Sequence, residues 1–183
     1  MIEDKVIELL HQVKPIGNQP AVIEPATDEE IKTFELAHKL ILPAEVKSWF
    51  QRCNGISLNP GGLYRLFSKE DDVCSIDWYF KEYPEWKERS WIPIANDGCG
   101  NLYILTTAIV IPSARTHPVF FLDQADFDKP DYVVASGLWK FLFFFLEHAI
   151  LTQRSEDTYW PFGKRKVITG DPQIVECRTI PQP

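Results

Sequence analysis

Residues 91–106, WIPIANDGCGNLYILT, place a tight polar cluster between two short apolar runs. Asn-Asp-Gly between two runs of strand-forming residues is typical of a β-hairpin. Gly98 and Gly100 can adopt the positive φ that such a turn requires. The sequence therefore predicts a turn between two strands, at 91–95 and 102–106.

A phosphate-binding loop and a catalytic thiol are the competing interpretations of this cluster. A phosphate loop leads from a strand into a helix N-terminus, whereas 102–106 has a strand pattern and no Lys-Ser/Thr pair follows the glycines. Cys99 as a nucleophile would need a base and an orienting group nearby. Cysteine is also a common small core residue. We therefore favour a structural turn over either chemical role.

Two helices have clear ends in the sequence. Thr27 followed by Glu30 is a capping-box signature and predicts a helix that ends near Leu40. The segment 42–55, LPAEVKSWFQRCNG, begins with a proline suited to a first turn and stops at Asn54-Gly55. Its apolar residues fall at helical spacing, so the sequence predicts a short helix with one buried face.

The remaining elements are predicted from apolar spacing alone. We expect helices within 2–13 and 69–89, and a nearly all-apolar helix, LWKFLFFFLEHAIL, capped by Ser136 and packed on several sides. We expect strands at 63–67, at 118–123 and near KVIT (166–169). One core is expected to contain Trp49, Phe50, Ile92, Ile94, Tyr103, Phe120, Leu142 and Phe145.

Length and composition predict one globular domain, at 1–151, with an extension at 152–183 packed on it or flanking it. The longest uncharged apolar run is far shorter than the roughly 20 residues of a membrane span, and the first residues do not resemble a signal peptide. We expect a cytoplasmic protein. Its four cysteines, without zinc spacing, are expected to be reduced thiols.

The net charge of the chain restricts the classes of partner that we expect it to bind. The net charge is −7, and residues 1–151 carry 14 Lys/Arg against 22 Asp/Glu, which gives −8. An acidic body disfavours nucleic acid and anionic membranes and favours a basic protein partner. The scattered histidines and the Asp123–Asp131 segment, which lacks the glycine and terminal glutamate of a calcium loop, do not predict a metal site. No cofactor or catalytic residue is expected.

Three segments in order resemble the SUKH superfamily, which includes fungal Smi/Knr-type cell-wall-synthesis regulators and many bacterial immunity proteins. They are LPAEVKSWFQRCNG, then WIPIANDGCGNLYIL, then PVFFLD followed by the helix that begins ASGLWKFLFFFLE. The resemblance covers about residues 25–150. The segment TTAIVIPSARTHP (106–118) is longer than the corresponding segment of that pattern, and 152–183 has no counterpart in it.

The resemblance implies an α+β fold, with a twisted, mainly antiparallel sheet and helices packed around it. It also implies a non-catalytic binding protein, most simply an immunity protein that occludes a cognate toxin such as a nuclease. A regulatory scaffold of the Smi/Knr type is the alternative, and a hydrolase with a hidden Cys/His site is the third hypothesis.

The candidate partner-binding stretch is KEDDVCSIDWYFKEYPEWKE (69–88), in which acids alternate with aromatics. Acids steer a basic partner and aromatics anchor it. The competing interpretation is a solvated helix whose aromatics face the core. The residues predicted to contact the partner are Glu70, Asp71, Asp72, Asp77, Trp78, Tyr79 and Glu82.

Overall fold

A computed structural model describes residues 1–15, 22–58, 61–67, 74–154 and 170–177. The helices in these residues are α1 (Ile2–Leu10), α2 (Asp28–His38), α3 (Ala44–Phe50), α4 (Ile76–Glu82), α5 (Glu85–Glu88) and α6 (Leu138–Gln153), with a 3-10 helix at Pro172–Glu176. The strands are β1 (Ile56–Ser57), β2 (Gly62–Leu63), β3 (Trp91–Asn96), β4 (Leu102–Thr106), β5 (Val119–Leu122) and β6 (Tyr132–Ala135).

The strands form one open sheet in sequence order, β1 to β6, and every neighbouring pair is antiparallel. The chain therefore crosses the sheet as a meander, and the long β2–β3 connection contains α4 and α5. Helices pack around this sheet, and the predicted α+β fold is confirmed.

The β3–β4 hairpin forms as the sequence predicts. Gly98 and Gly100 have φ of 78° and 100°. The Asp97 carboxylate closes the turn, because Oδ1 accepts from the backbone N–H groups of Cys99 and Asn101 at 2.8 and 3.2 Å, and Oδ2 accepts from the Asn101 side chain at 2.7 Å. The Cys99 side chain is exposed at the tip of this loop.

The signals at helix ends are also confirmed. At α2, Glu30 N donates to Thr27 Oγ1 while the Glu30 carboxylate accepts from Thr27 N, so the capping box is complete. Helix α3 follows Pro43 and is shorter than the predicted segment. The chain then turns at Gly55, whose φ is 110°.

The core lies between the sheet and α6. All eight residues predicted to share the core are buried. The ring of Tyr103 on β4 lies 5.0 Å from Phe141 and 5.8 Å from Phe145, which places α6 against the sheet. Helix α6 also contacts α1 and α3, as expected for a helix that is apolar on nearly every side.

Two predicted elements differ from the structure, one strand was not predicted, and one predicted strand is not tested. Gly137, not Ser136, is the N-cap of α6, because the Ser136 hydroxyl donates to Asp171 at 2.8 Å instead. The predicted strand at 63–67 is reduced to Gly62–Leu63 plus an isolated bridge at Arg65. Strand β6 was not predicted, and the strand predicted near KVIT lies outside the described residues.

The segment 170–177 is attached to the sheet and to α6. Asp171 is fully buried and accepts from the Ser136 backbone N–H at 2.6 Å. Ile174 is also fully buried, and Glu176 accepts from the backbone N–H and hydroxyl of Ser113 at 3.2 and 2.5 Å. These contacts tie one part of 152–183 to the sheet-and-helix body. The domain boundary at residue 151 stays a prediction.

Candidate functional site: an acidic and aromatic face

Helices α4 and α5 lie in the described part, residues 74–88, of the predicted partner-binding stretch. Ser75 begins α4, since its hydroxyl accepts from Trp78 N at 3.2 Å. Ile76 and Phe80 are buried at 0% and 1% exposure and hold the helix on the body. The opposite side of α4 is thereby turned outward. We call the surface formed by α4, α5 and the neighbouring Phe127 the acidic–aromatic face.

An aromatic stack supports this face. Tyr83 stacks on Trp86 at 4.8 Å, and Tyr79 lies parallel to Trp86 at 5.7 Å. Phe127, from the β5–β6 loop, meets Tyr83 and Trp86 edge-on at 6.0 and 6.1 Å. Trp86 is 1% exposed, whereas Tyr83 and Phe127 are half-buried. The stack therefore has a buried centre and an accessible rim, which gives the face a rigid base.

The two aromatic residues predicted as anchors occupy different environments. Tyr79 is 8% exposed, and its hydroxyl lies 2.8 Å from that of Tyr64. Its ring belongs to the core, which agrees with the competing interpretation made for this stretch. Trp78 is half-buried and meets Tyr79 edge-on at 4.9 Å. Trp78 therefore has the accessibility that an anchor needs, and Tyr79 does not.

The acidic residues of α4 and α5, of which Asp77 and Glu82 were predicted to contact the partner, also separate into two groups. Asp77 accepts from Lys81 Nζ at 2.7 Å and lies 2.9 Å from His38 Nε2, so it is engaged within the fold. Glu82 and Glu88 are exposed and Glu85 is half-buried. No ion pair within the described part of the chain involves these three glutamates. They carry the free negative charge of the face.

Basic side chains partly offset the negative charge of the acidic–aromatic face. Residues 74–91 contain four carboxylates and three cations. Lys81 is paired with Asp77, the Lys87 ammonium lies 5.8 Å from the Phe80 ring, and the Arg89 guanidinium lies 5.0 Å from the Trp91 ring. The described face is thus only weakly acidic. Glu70, Asp71 and Asp72 lie outside the described residues, and their part in the face stays a prediction.

The β5–β6 loop borders the acidic–aromatic face, and the sequence did not predict this arrangement. The Arg89 guanidinium donates to the Asp128 backbone oxygen at 2.5 Å and to its carboxylate at 3.2 Å. Asp123 and Asp126 accept from backbone N–H groups two residues ahead, as expected for a polar loop. The available signal was Phe127, an aromatic residue among aspartates, but nothing in the sequence placed it against Tyr83.

Among residues 1–15, 22–58, 61–67, 74–154 and 170–177, the thiols and other titratable groups do not gather into a second cluster. Burial raises the pKa of the Cys53 thiol to about 12, so it is protonated at neutral pH. All four cysteines are free thiols. Within the ranges that the structure describes, no three His, Cys, Asp or Glu side chains gather to hold a metal ion. No described helix is both long enough and apolar enough to cross a bilayer.

The open antiparallel sheet and the helices packed around it define an α+β domain. Residues 25–143 match the model of the SMI1 / KNR4 family (SUKH-1), and the chain belongs to this family. The family generally comprises non-catalytic proteins that bind protein partners, either as immunity proteins or as Smi/Knr-type regulators. No curated protein matches the chain.

Proposed function

We propose that this chain is an immunity protein that binds a basic toxin domain through the acidic–aromatic face and blocks it by occlusion. The observation that carries the proposal is the juxtaposition of the free carboxylates of Glu82, Glu85 and Glu88 with the accessible rings of Trp78 and Tyr83. Free carboxylates attract a basic surface over a distance, and aromatic rings on a rigid base supply contact area.

The charge of the whole chain supports the same partner chemistry. A net charge of −7 favours encounter with a cationic protein. A toxin that acts on nucleic acid has a basic surface where it holds phosphates. An acidic protein seated there excludes the substrate without performing any chemistry itself. In this proposal the chain acts in the cytoplasm, where such a toxin would find its target.

The rigidity of the face adds to the affinity expected of it. The Ser75 cap holds the backbone of Trp78, the Trp78 ring meets Tyr79 edge-on, and the rings of Tyr83, Trp86 and Phe127 pack against one another. Side chains ordered before binding lose little conformational entropy on binding. The face therefore suits a tight complex better than a set of flexible surface glutamates would.

The first test is co-expression with the protein encoded by the neighbouring gene. The proposal predicts a stable complex that survives purification, and loss of the neighbour's toxic activity when the chain is titrated to one equivalent. Absence of a complex with any neighbouring product would contradict it.

The second candidate function is a regulatory scaffold of the Smi/Knr type, which the family match supports equally. The same experiment separates the two functions. A partner that binds at this face and keeps its full activity would favour the scaffold over the immunity protein.

A further inference from the structure

A second surface lies at the C-terminal end of α2 and has the opposite character. Leu36 and Ile41 are 70% and 83% exposed, the two most exposed large apolar side chains after Met1 in the part of the chain that the structure describes. With Leu40 they line a groove of about 420 Å³ that Lys32, Glu35 and Lys39 complete. We call these six residues the α2 groove.

The backbone holds the apolar side chains of the α2 groove outward. Lys39 ends α2 in the left-handed conformation, with φ of 53°. Leu40 N then donates to Glu35 O at 3.1 Å, and Leu42 N donates to the Glu35 carboxylate at 2.7 Å. Leu42 is buried at 1% exposure, so Ile41 between these two fixed positions points to solvent. The exposure of Ile41 is built into the turn.

The free charges of the groove are positive. Glu35 is engaged, since its carboxylate accepts from Lys47 Nζ at 2.8 Å as well as from Leu42 N. These donors hold the pKa of Glu35 below its ordinary value even though burial of the carboxyl opposes them. Lys32 and Lys39 are exposed, and neither forms an ion pair with a described residue. The groove thus presents two free cations on a chain of net charge −7.

We infer that the α2 groove docks a protein segment in which apolar side chains alternate with carboxylates. Leu36, Leu40 and Ile41 would bury the apolar side chains, and Lys32 and Lys39 would pair with the carboxylates. A basic toxin domain does not fit this surface, because its cations would face both lysines. The groove is therefore a second docking site with a different partner chemistry from the acidic–aromatic face, and it does not depend on the function proposed above.

The test is a peptide selection on the full chain. A phage library of random 12-residue peptides is selected on the wild-type chain after depletion on the Leu36→Ser, Ile41→Ser double variant. Enriched peptides should combine Leu, Ile or Phe with Asp or Glu. Enrichment of basic peptides, or no enrichment after depletion, would overturn the inference.

One enriched peptide, synthesised with a fluorescent label, then supplies affinities by anisotropy. Leu36→Ser with Ile41→Ser should weaken binding by about tenfold or more, because two apolar side chains lose their burial. Lys32→Glu with Lys39→Glu should weaken it severalfold, and added salt should weaken wild-type binding in the same direction. The matched controls are Val110→Ser and Lys129→Glu, which change an exposed apolar side chain and an exposed lysine elsewhere.

Equal losses in the control variants would overturn the inference, because the peptide would then be binding elsewhere. Sedimentation velocity tests whether a second copy of the chain occupies the α2 groove instead. A concentration-dependent dimer that Ile41→Ser abolishes would assign the groove to self-association instead. The substituted side chains are exposed, so circular dichroism should show that every variant is folded.

Discussion

The imidazole of His38 lies 2.9 Å from the carboxylate of Asp77, and this contact joins α2 to α4. The His38 side chain is 7% exposed and packs against the rings of Phe34 and Phe80 at 4.6 and 5.1 Å. Burial lowers the pKa of His38 below its ordinary value. The nearby Asp77 opposes this shift, and Lys87 and Lys81 add to it.

The first prediction is a pH dependence of stability that arises from His38. A lowered pKa in the folded state means that the unfolded chain binds the proton more readily, so this contribution to stability is present above about pH 6.5 and is lost as pH falls below it. Denaturant unfolding at pH 7.5 and 5.5 should show a smaller pH effect in His38→Gln than in wild type. The control is His11→Gln, at an exposed histidine. An identical pH effect in His38→Gln and wild type would contradict the assignment.

The second prediction tests the core. Trp49 is 3% exposed and meets Trp139 edge-on at 6.1 Å. Trp49→Ala should lower the free energy of unfolding by about 3–5 kcal/mol, because it removes buried area and leaves a cavity. The measurement is the denaturant midpoint, with Val110→Ala, at a half-exposed position, as the control that should change little. An unchanged midpoint in Trp49→Ala would rule out this packing.

The third prediction concerns the β3–β4 turn. Gly98→Val should destabilise the chain by about 1–3 kcal/mol, since a β-branched residue tolerates positive φ poorly. Gly98→Asn should cost less, because asparagine accepts this conformation more readily. Cys99→Ser should leave the stability and partner binding intact. If Cys99→Ser abolished function in a folded chain, the turn would have a chemical role.

Local signals predicted local structure well in this chain. The Thr27–Glu30 capping box, the stop at Asn54-Gly55 and the Asn-Asp-Gly hairpin all formed, because each is complete within a few residues. Ser136 failed as a predicted cap because its hydrogen-bond partner, Asp171, lies 35 residues away. A side chain that could cap a helix can instead form a hydrogen bond with a residue far away in the sequence. A local sequence pattern does not reveal that distant residue.

The candidate site was less predictable than the fold for the same reason. The sequence predicted that Asp77 contacts a partner. In the structure its carboxylate contacts His38, which lies 39 residues away in the sequence. Arg89 and Asp128 are equally far apart in sequence, and their contact carries the β5–β6 loop to the edge of the face. The alternation of acids and aromatics identified only a candidate segment, and the tertiary contacts show which of its described side chains are engaged within the fold.

The fourth prediction separates Trp78 from Tyr79. Tyr79→Phe should lower the free energy of unfolding by about 1 kcal/mol, because it removes the hydroxyl contact with Tyr64, and should leave partner affinity unchanged. Trp78→Ala should cost about 2 kcal/mol or more of affinity with a smaller effect on folding. Calorimetry of binding and denaturant unfolding measure the two quantities. A loss of affinity in Tyr79→Phe and none in Trp78→Ala would reverse the roles assigned here.

Whether the acidic–aromatic face steers a basic partner is decided by association kinetics, at 50 and 300 mM salt, with the toxin domain that our proposal assigns to the neighbouring gene. The variants are Glu82→Lys with Glu88→Lys, and separately Asp71→Lys with Asp72→Lys. The matched control is Glu8→Lys with Glu24→Lys, two exposed glutamates outside the face, which gives the same change in net charge. Steering by these carboxylates predicts that both charge-reversed variants associate about tenfold more slowly at low salt, with a flatter salt dependence, while the control stays near wild type. Wild-type kinetics in both charge-reversed variants, or an equal loss in the control, would contradict the proposed steering.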